Sequence, residues 1–412
     1  VVLRGSGLNA TVLRKTGVGR EAMVYVEGVD DLTVTDTLSI VSDYIPVNSR
    51  LLAAGDVFRL KEGDHVMIYR PSTKEWIERL GCDHFGGGIT YLGWKPGEMD
   101  VCWDREIVKV EGNTVEIDAP LTMALDAAEA NSRILRYSWP GRISNVGIEG
   151  LSIVSDYDTN NPKDEDHCWT GISIDHATDC WVRMVGFEHL AGSAVILQPG
   201  SSNVTVEDCI SGNPVSEIGG MRRSTFLTMG QLNLFQRCYS EEGMHDFGAG
   251  YLAAGPNAFV QCETKNSYDY SGAIDSWACG LLFDIVNVDG NDLVFKNIGQ
   301  DNNGGAWTTA NSLFWQCTAA EIACYSPDAA NRNRAYGCWA QFSGDGEWSE
   351  SNNHLHPRSF FYAQLSDRLG VDFSGRARLL PVNTSATSSP TVEQAMALTK
   401  EDLQALQIMF EA

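Results

Sequence analysis

The chain has 412 residues, 43% hydrophobic and 20% charged, which excludes a disordered polymer and asks for two domains or one elongated repeat. Its formal net charge of −24 excludes nucleic acid and anionic membrane surfaces as partners, because both need a basic face. No apolar run reaches the roughly 18 residues of a spanning helix, so no membrane insertion is expected.

The first residue is Val1 rather than Met, so a processed or trimmed N-terminus is expected. Residues 1–55 read as the first coils of a solenoid. Residues 56–125 read differently. Gly63-Asp-His-Val-Met-Ile-Tyr, Arg105-Glu-Ile-Val-Lys-Val and Gly112-Asn-Thr-Val-Glu-Ile-Asp are short strands joined by Gly-Asp and Gly-Asn turns, the pattern of a small antiparallel insertion. Within it, Asp83-His-Phe-Gly-Gly-Gly is expected to form a mobile loop.

From 126 to 378 one phrase recurs: a polar turn residue, four to six alternating apolar positions, then Cys or another small residue. It reads Asn145-Val-Gly-Ile-Glu-Gly-Leu-Ser-Ile, Asp179-Cys-Trp-Val-Arg-Met-Val, Asn203-Val-Thr-Val-Glu-Asp-Cys and Asn233-Leu-Phe-Gln-Arg-Cys. Asn257-Ala-Phe-Val-Gln-Cys, Asp292-Leu-Val-Phe-Lys-Asn and Asn311-Ser-Leu-Phe-Trp-Gln-Cys continue it. A spacing of roughly 20 to 35 residues suits solenoid coils. Alternation gives each phrase one inward face, and strands recurring once per coil stack as a parallel sheet. The fold expected is therefore all-β, a right-handed parallel β-helix with a small antiparallel insertion and a short C-terminal helix.

Eleven cysteines lack any CxxC or paired Cys/His spacing, so no metal site is expected from them. Cys209, Cys238, Cys262 and Cys317 end the same phrase and read as an interior ladder of small buried thiols, in preference to disulfides or catalysis. Asn9, Asn203 and Asn383 open glycosylation sequons. Residues 379–412 read as a polar linker followed by an amphipathic helix near 399–410 that could cover an end of the solenoid.

At this point the chain resembles the secreted pectate-lyase-superfamily β-helix proteins. The matching stretches include Val1-Val-Leu-Arg-Gly-Ser-Gly, Gly219-Gly-Met-Arg-Arg, His245-Asp-Phe, Gly255-Pro-Asn-Ala-Phe and Gly280-Leu-Leu-Phe-Asp. Phe314-Trp-Gln-Cys and Pro357-Arg-Ser-Phe-Phe-Tyr-Ala-Gln-Leu-Ser-Asp-Arg-Leu-Gly complete the series. The resemblance covers residues 1–370 and implies a secreted or cell-surface protein whose partner is a polysaccharide or oligosaccharide. The chain departs from that family at two places. It has Ile274-Asp-Ser-Trp where the family carries His-His-Arg-Trp, and Gly304-Gly-Ala-Trp where the family carries Gly-His-Gly-Trp.

Two cleavage chemistries suit such a fold. β-Elimination needs a base and a cation, with Ca²⁺ the cofactor such a scheme would use; hydrolysis needs two carboxyl groups flanking the bond. The densest polar set lies on coils expected to be adjacent: Arg222, Arg223, Glu241, Glu242, His245, Asp246, Asp269 and Asp275. Asp275, His245, Asp246 and Arg223 are the catalytic candidates. Arg223 would hold a substrate carboxylate, His245 and Asp246 would serve as base and orienter, and Asp275 as a carboxyl for hydrolysis. Arg222, Glu242, Tyr270, Trp277 and Trp307 are the substrate-binding candidates, the aromatics as sugar platforms. Set against these are an ion network joining Arg222 and Arg223 to Glu241 and Glu242, and tryptophans that fill flanking loops. The functions expected are a glycoside hydrolase or polysaccharide lyase, or else a non-catalytic scaffold. A viral tail-spike-like depolymerase shares the fold.

Overall fold

The computed structural model describes residues 1–86, 91–220 and 222–378. Its main body is the expected right-handed parallel β-helix, with 24 parallel strands merging into one continuous wrapped sheet among the described residues. Each coil contributes a strand to three sheets. In the first sheet, Ile148, Val182, Val206, Phe235, Phe259, Phe283 and Phe314 stand in register on successive coils. All seven are buried. Parallel pairing sets neighbouring strands about 4.8 Å apart, which brings identical side chains into van der Waals stacks. Phe235 and Phe259 stack at 4.9 Å between ring centroids, and Phe259 and Phe283 at 4.7 Å.

The corner after the first sheet explains the cysteines. Asp208, Arg237, Gln261, Ile285 and Gln316 all have φ between 51° and 58°, a left-handed residue that turns the chain into the second sheet. The residues that follow, Cys209, Cys238, Cys262, Val286 and Cys317, point into the core, and the four thiols are free. The corner before the first sheet has a polar ladder instead. The backbone N–H of Val204 donates to Asn233, that of Asn233 to Asn257, that of Leu281 to Ser312, and that of Ser312 to Asn333. These side chains satisfy buried backbone donors that the strands leave behind at the turn.

The antiparallel unit is a six-stranded sheet in the order Thr33–Ser39, Arg133–Ser138, His65–Arg70, Val101–Glu111, Thr114–Ile117, Leu51–Ala53. It reaches beyond residues 56–125 on both sides, because Thr33–Ser39 pairs with Arg133–Ser138 across about a hundred residues. Within residues 1–55, only the strands Val2–Arg4, Val12–Lys15 and Val24–Glu27 join the helix. Turn signals mark hairpins, and they carry no information about a pairing that closes so long a loop.

Near its end the described chain forms a helix, Phe360–Leu369, capped by the Ser359 hydroxyl and closed by Gly370 at φ 65°. Both ends follow standard capping chemistry. This helix lies on the outer face of the first sheet, where Tyr362 packs against Ala258 and Val260. The linker and helix read from residues 379–412 lie outside the described residues.

Phe283→Ala removes a fully buried ring from the middle of the stack and should cost about 3–5 kcal/mol, read as a lower denaturant midpoint. Asp284 is buried on the same strand and accepts from the Ser359 hydroxyl and the Phe361 N–H, anchoring the helix start. Burial pushes its carboxyl up to about 6 against these two bonds. A carboxyl raised in the folded state binds its proton more tightly there than when unfolded. Its stabilising share is therefore complete below the ordinary value near 3.8 and is lost as pH rises through about 6. Asp284→Asn keeps an acceptor and removes the titration. The stability difference between variant and wild type should then shift in the variant's favour by up to about 3 kcal/mol from pH 4 to pH 7.

Candidate functional site

The third sheet carries partly exposed polar groups at equivalent positions on consecutive coils. Ser271, Leu293 and Ile322 pair in register. The residues immediately before them, Tyr270, Asp292 and Glu321, therefore occupy equivalent positions on three successive coils. The Glu321 N–H donates to the Asp292 carboxylate at 3.2 Å, and the Ser343 hydroxyl donates to Glu321. The Lys296 ammonium lies 5.2 Å from the Tyr270 ring centre, a cation–π arrangement. His245 closes the other side of Tyr270, with ring centroids 4.8 Å apart and Nδ1 2.7 Å from the Tyr270 carbonyl oxygen.

Two carboxyls here are displaced upward. Burial pushes Asp292 up, the negative charges of Glu321 and Asp269 add to this, and Lys296 opposes it. Burial likewise raises Asp275, which the Ser276 N–H and hydroxyl counter with bonds of 2.6 and 2.8 Å to one oxygen. For both carboxyls burial thus favours the neutral form more than in a free aspartate.

The residues anticipated from sequence divide. Tyr270 and Asp275 fall in this cluster, with His245 behind Tyr270. Arg223 does not: it is buried, and its guanidinium donates to the Ser216 hydroxyl and carbonyl, both at 2.9 Å, and to the Glu242 carbonyl at 3.2 Å. Arg222 forms a bidentate pair with Glu165, at 2.6 and 3.1 Å. The arginines are thus tied up structurally, but not by the side chains of Glu241 and Glu242. Glu242 serves a corner, at φ 56°.

Asp246 is fully buried, holding the hydroxyls of Ser240 and Ser267, and does not meet the His245 ring. Trp277 is fully buried as well. It meets Trp76 edge-on at 5.0 Å and Trp94 at 5.8 Å, so it anchors the antiparallel unit and offers no sugar platform. Trp307 packs against the same apolar cluster.

Asp292, Lys296 and Glu321 were not singled out from sequence. Asp292 opens one of the recurring phrases, where it reads as a turn residue. That phrase lies in the third sheet, whereas those opening at Asn203, Asn233, Asn257 and Asn311 run through the first. Alternation gives no sign of which sheet a strand joins, since all three share the same inward period. Among the described residues no three His, Cys, Asp or Glu groups converge at ligating distance.

The chain matches a family model described as a domain of unknown function (DUF6298) over residues 346–411. No curated protein matches it. Among solved structures it is similar to the tailspike protein gp49 from Pseudomonas phage LKA1, at 13% identity and a TM-score of 0.41, over 85% of this chain and 64% of that one. It is also similar to the gp54 tailspike of Acinetobacter baumannii bacteriophage AP22, solved in complex with A. baumannii capsular saccharide. That match has 12% identity and a TM-score of 0.39, over 84% of this chain and 65% of the tailspike. A third similar structure is a glycoside hydrolase, at 8% identity and a TM-score of 0.29, covering 79% of this chain and 77% of that one. The chain spans about two thirds of the length of either tailspike.

The structural role of Trp277 is directly testable. Trp277→Ala should lower stability by about 3–5 kcal/mol, and limited proteolysis should then cut first within residues 33–138.

Proposed function

We propose that this protein is a carbohydrate-active enzyme, secreted or at the cell surface, that hydrolyses a polysaccharide lying across the third sheet. The observation that carries this reading is the stacking of Tyr270, Asp292 and Glu321 at equivalent positions on three coils, with Asp292 displaced upward by burial and by Glu321. An extended glycan crossing the coils would meet one such group about every 4.8 Å.

Hydrolysis needs one carboxyl that gives a proton to the leaving oxygen and another that stays ionised. Asp292 is the proposed acid. Glu321 is the proposed ionised partner, oriented by the Ser343 hydroxyl. Tyr270 and Lys296 would position the sugar, and Asp275 would supply a second acid at the preceding turn. Elimination is the weaker reading, because Arg222 and Arg223 are both engaged with other groups and, among the described residues, Lys296 is the cation beside Asp292 and Tyr270.

Purified protein incubated with plant, algal and microbial polysaccharides should release reducing ends without the unsaturated product of a lyase. Asp292→Asn and Glu321→Gln should each lower kcat by about 10²–10⁴-fold, with an unchanged circular-dichroism spectrum. Turnover that survives both substitutions would remove these residues from the chemistry. A folded protein that binds glycans and cleaves none would be a non-catalytic scaffold.

A further inference from the structure

A cavity of about 210 Å³ opens beside the carboxyl cluster, between the antiparallel unit and the coil at residues 302–305. Tyr91, Lys95 and Glu98 line it from the antiparallel side; Ser276, Asn302 and Asn303 line it from the helix side. The volume is of the order of one sugar ring.

Three features mark it as built. Ser276, in its wall, donates both its N–H and its hydroxyl to Asp275, so an occupant would sit one residue from a carboxyl of the proposed site. Asn302, Asn303 and Gly304 are three consecutive left-handed residues, at φ 52°, 59° and 91°. Such residues ordinarily occur singly, and a run of them is a strained turn of the kind concentrated at functional sites. The Asn302 amide ties this turn to the Ile274 carbonyl at 2.8 Å, and Trp94 donates to the Gly304 carbonyl at 3.0 Å, which holds the two walls together. Tyr91 remains 75% exposed at the rim, although its neighbour Trp94 is buried. An exposed aromatic ring beside amides, a hydroxyl and one pair of opposite charges is the equipment for binding a polyhydroxylated ring.

Charge narrows the occupant. Among the described residues, Asp269, Asp301 and Glu321, which the hydrolytic reading leaves ionised, face Lys296 along the neighbouring surface, while Lys95 and Glu98 offset each other in the cavity. A uronate chain would meet uncompensated like charge at several positions, whereas a neutral glycan would not.

Resting on the hydrolytic reading above, we propose that this cavity is a subsite for one residue of a neutral glycan, with Tyr91 as its stacking platform. The antiparallel unit then contributes a wall of the substrate groove.

Calorimetry on the full chain should compare glucose-, mannose- and galactose-based oligosaccharides with oligogalacturonate, using wild type, Tyr91→Ala and Tyr91→Phe. At least one neutral series should bind. Tyr91→Ala should weaken it about tenfold, the loss of one good stacking contact, while Tyr91→Phe leaves it largely unchanged and oligogalacturonate fails to compete. Tyr91 is exposed, so folding is not at stake in either variant. Equal affinity in Tyr91→Ala, tighter binding of oligogalacturonate, or binding of no neutral series would each overturn the proposal. The two readings fail separately. Tyr91-dependent binding without turnover would sink the hydrolysis and leave the subsite, and turnover of a neutral glycan indifferent to Tyr91→Ala would do the reverse.

Discussion

Everything in this molecule depends on the in-register stacking of parallel coils. Once strands lie about 4.8 Å apart in parallel, each inward position becomes a column, and side chains of like size and shape pack best on one another within it. Phe235, Phe259 and Phe283 meet that condition by ring stacking, at 4.9 and 4.7 Å. The thiols of Cys209, Cys238 and Cys262 meet it by being small and soft. A left-handed residue at each corner, such as Arg237 or Gln261, keeps the columns aligned from coil to coil.

The same constraint governs the buried polar groups. A turn interrupts the ladder of backbone hydrogen bonds, and Asn233, Asn257, Ser312 and Asn333 repair it at one corner. Buried charged side chains at the attachment points are also engaged. Arg105 donates to Gln231 and to the Gly255 carbonyl, at 3.0 Å each, and so fastens the antiparallel unit to the helix. Glu149 accepts from Arg4, Arg183 and the Trp181 ring N–H, and these bonds outweigh the effect of burial and hold it at about 2. Such groups are costly when unpaired, which is why their partners come from distant parts of the chain. Arg223 belongs with them, being spent on Ser216 and a backbone carbonyl.

The outer faces are used differently. The first sheet is covered by the helix Phe360–Leu369, which removes that stretch from contact with a large ligand. The third sheet leaves Tyr270, Asp292, Lys296 and Glu321 partly exposed, and the antiparallel unit rises beside it through Trp94 and Trp277. A groove needs a floor with repeating functional groups and at least one wall. In the groove proposed above, the floor would come from the stacking and the wall from an element that breaks the repeat.

The sequence by itself determined the fold class, the interior thiol ladder and the presence of an antiparallel interruption. These depend on residues close together in the chain, through alternation, recurring phrases and turn chemistry. Only the tertiary structure decided which sheet each phrase enters, because that depends on the summed lengths of the intervening turns. It moved Asp292 from an anonymous turn residue to a neighbour of Glu321, and it withdrew Arg223, Asp246 and Trp277 into structural roles. It also closed Thr33–Ser39 against Arg133–Ser138. A local pattern can say that a side chain faces outward, but the phase between coils decides what it meets there.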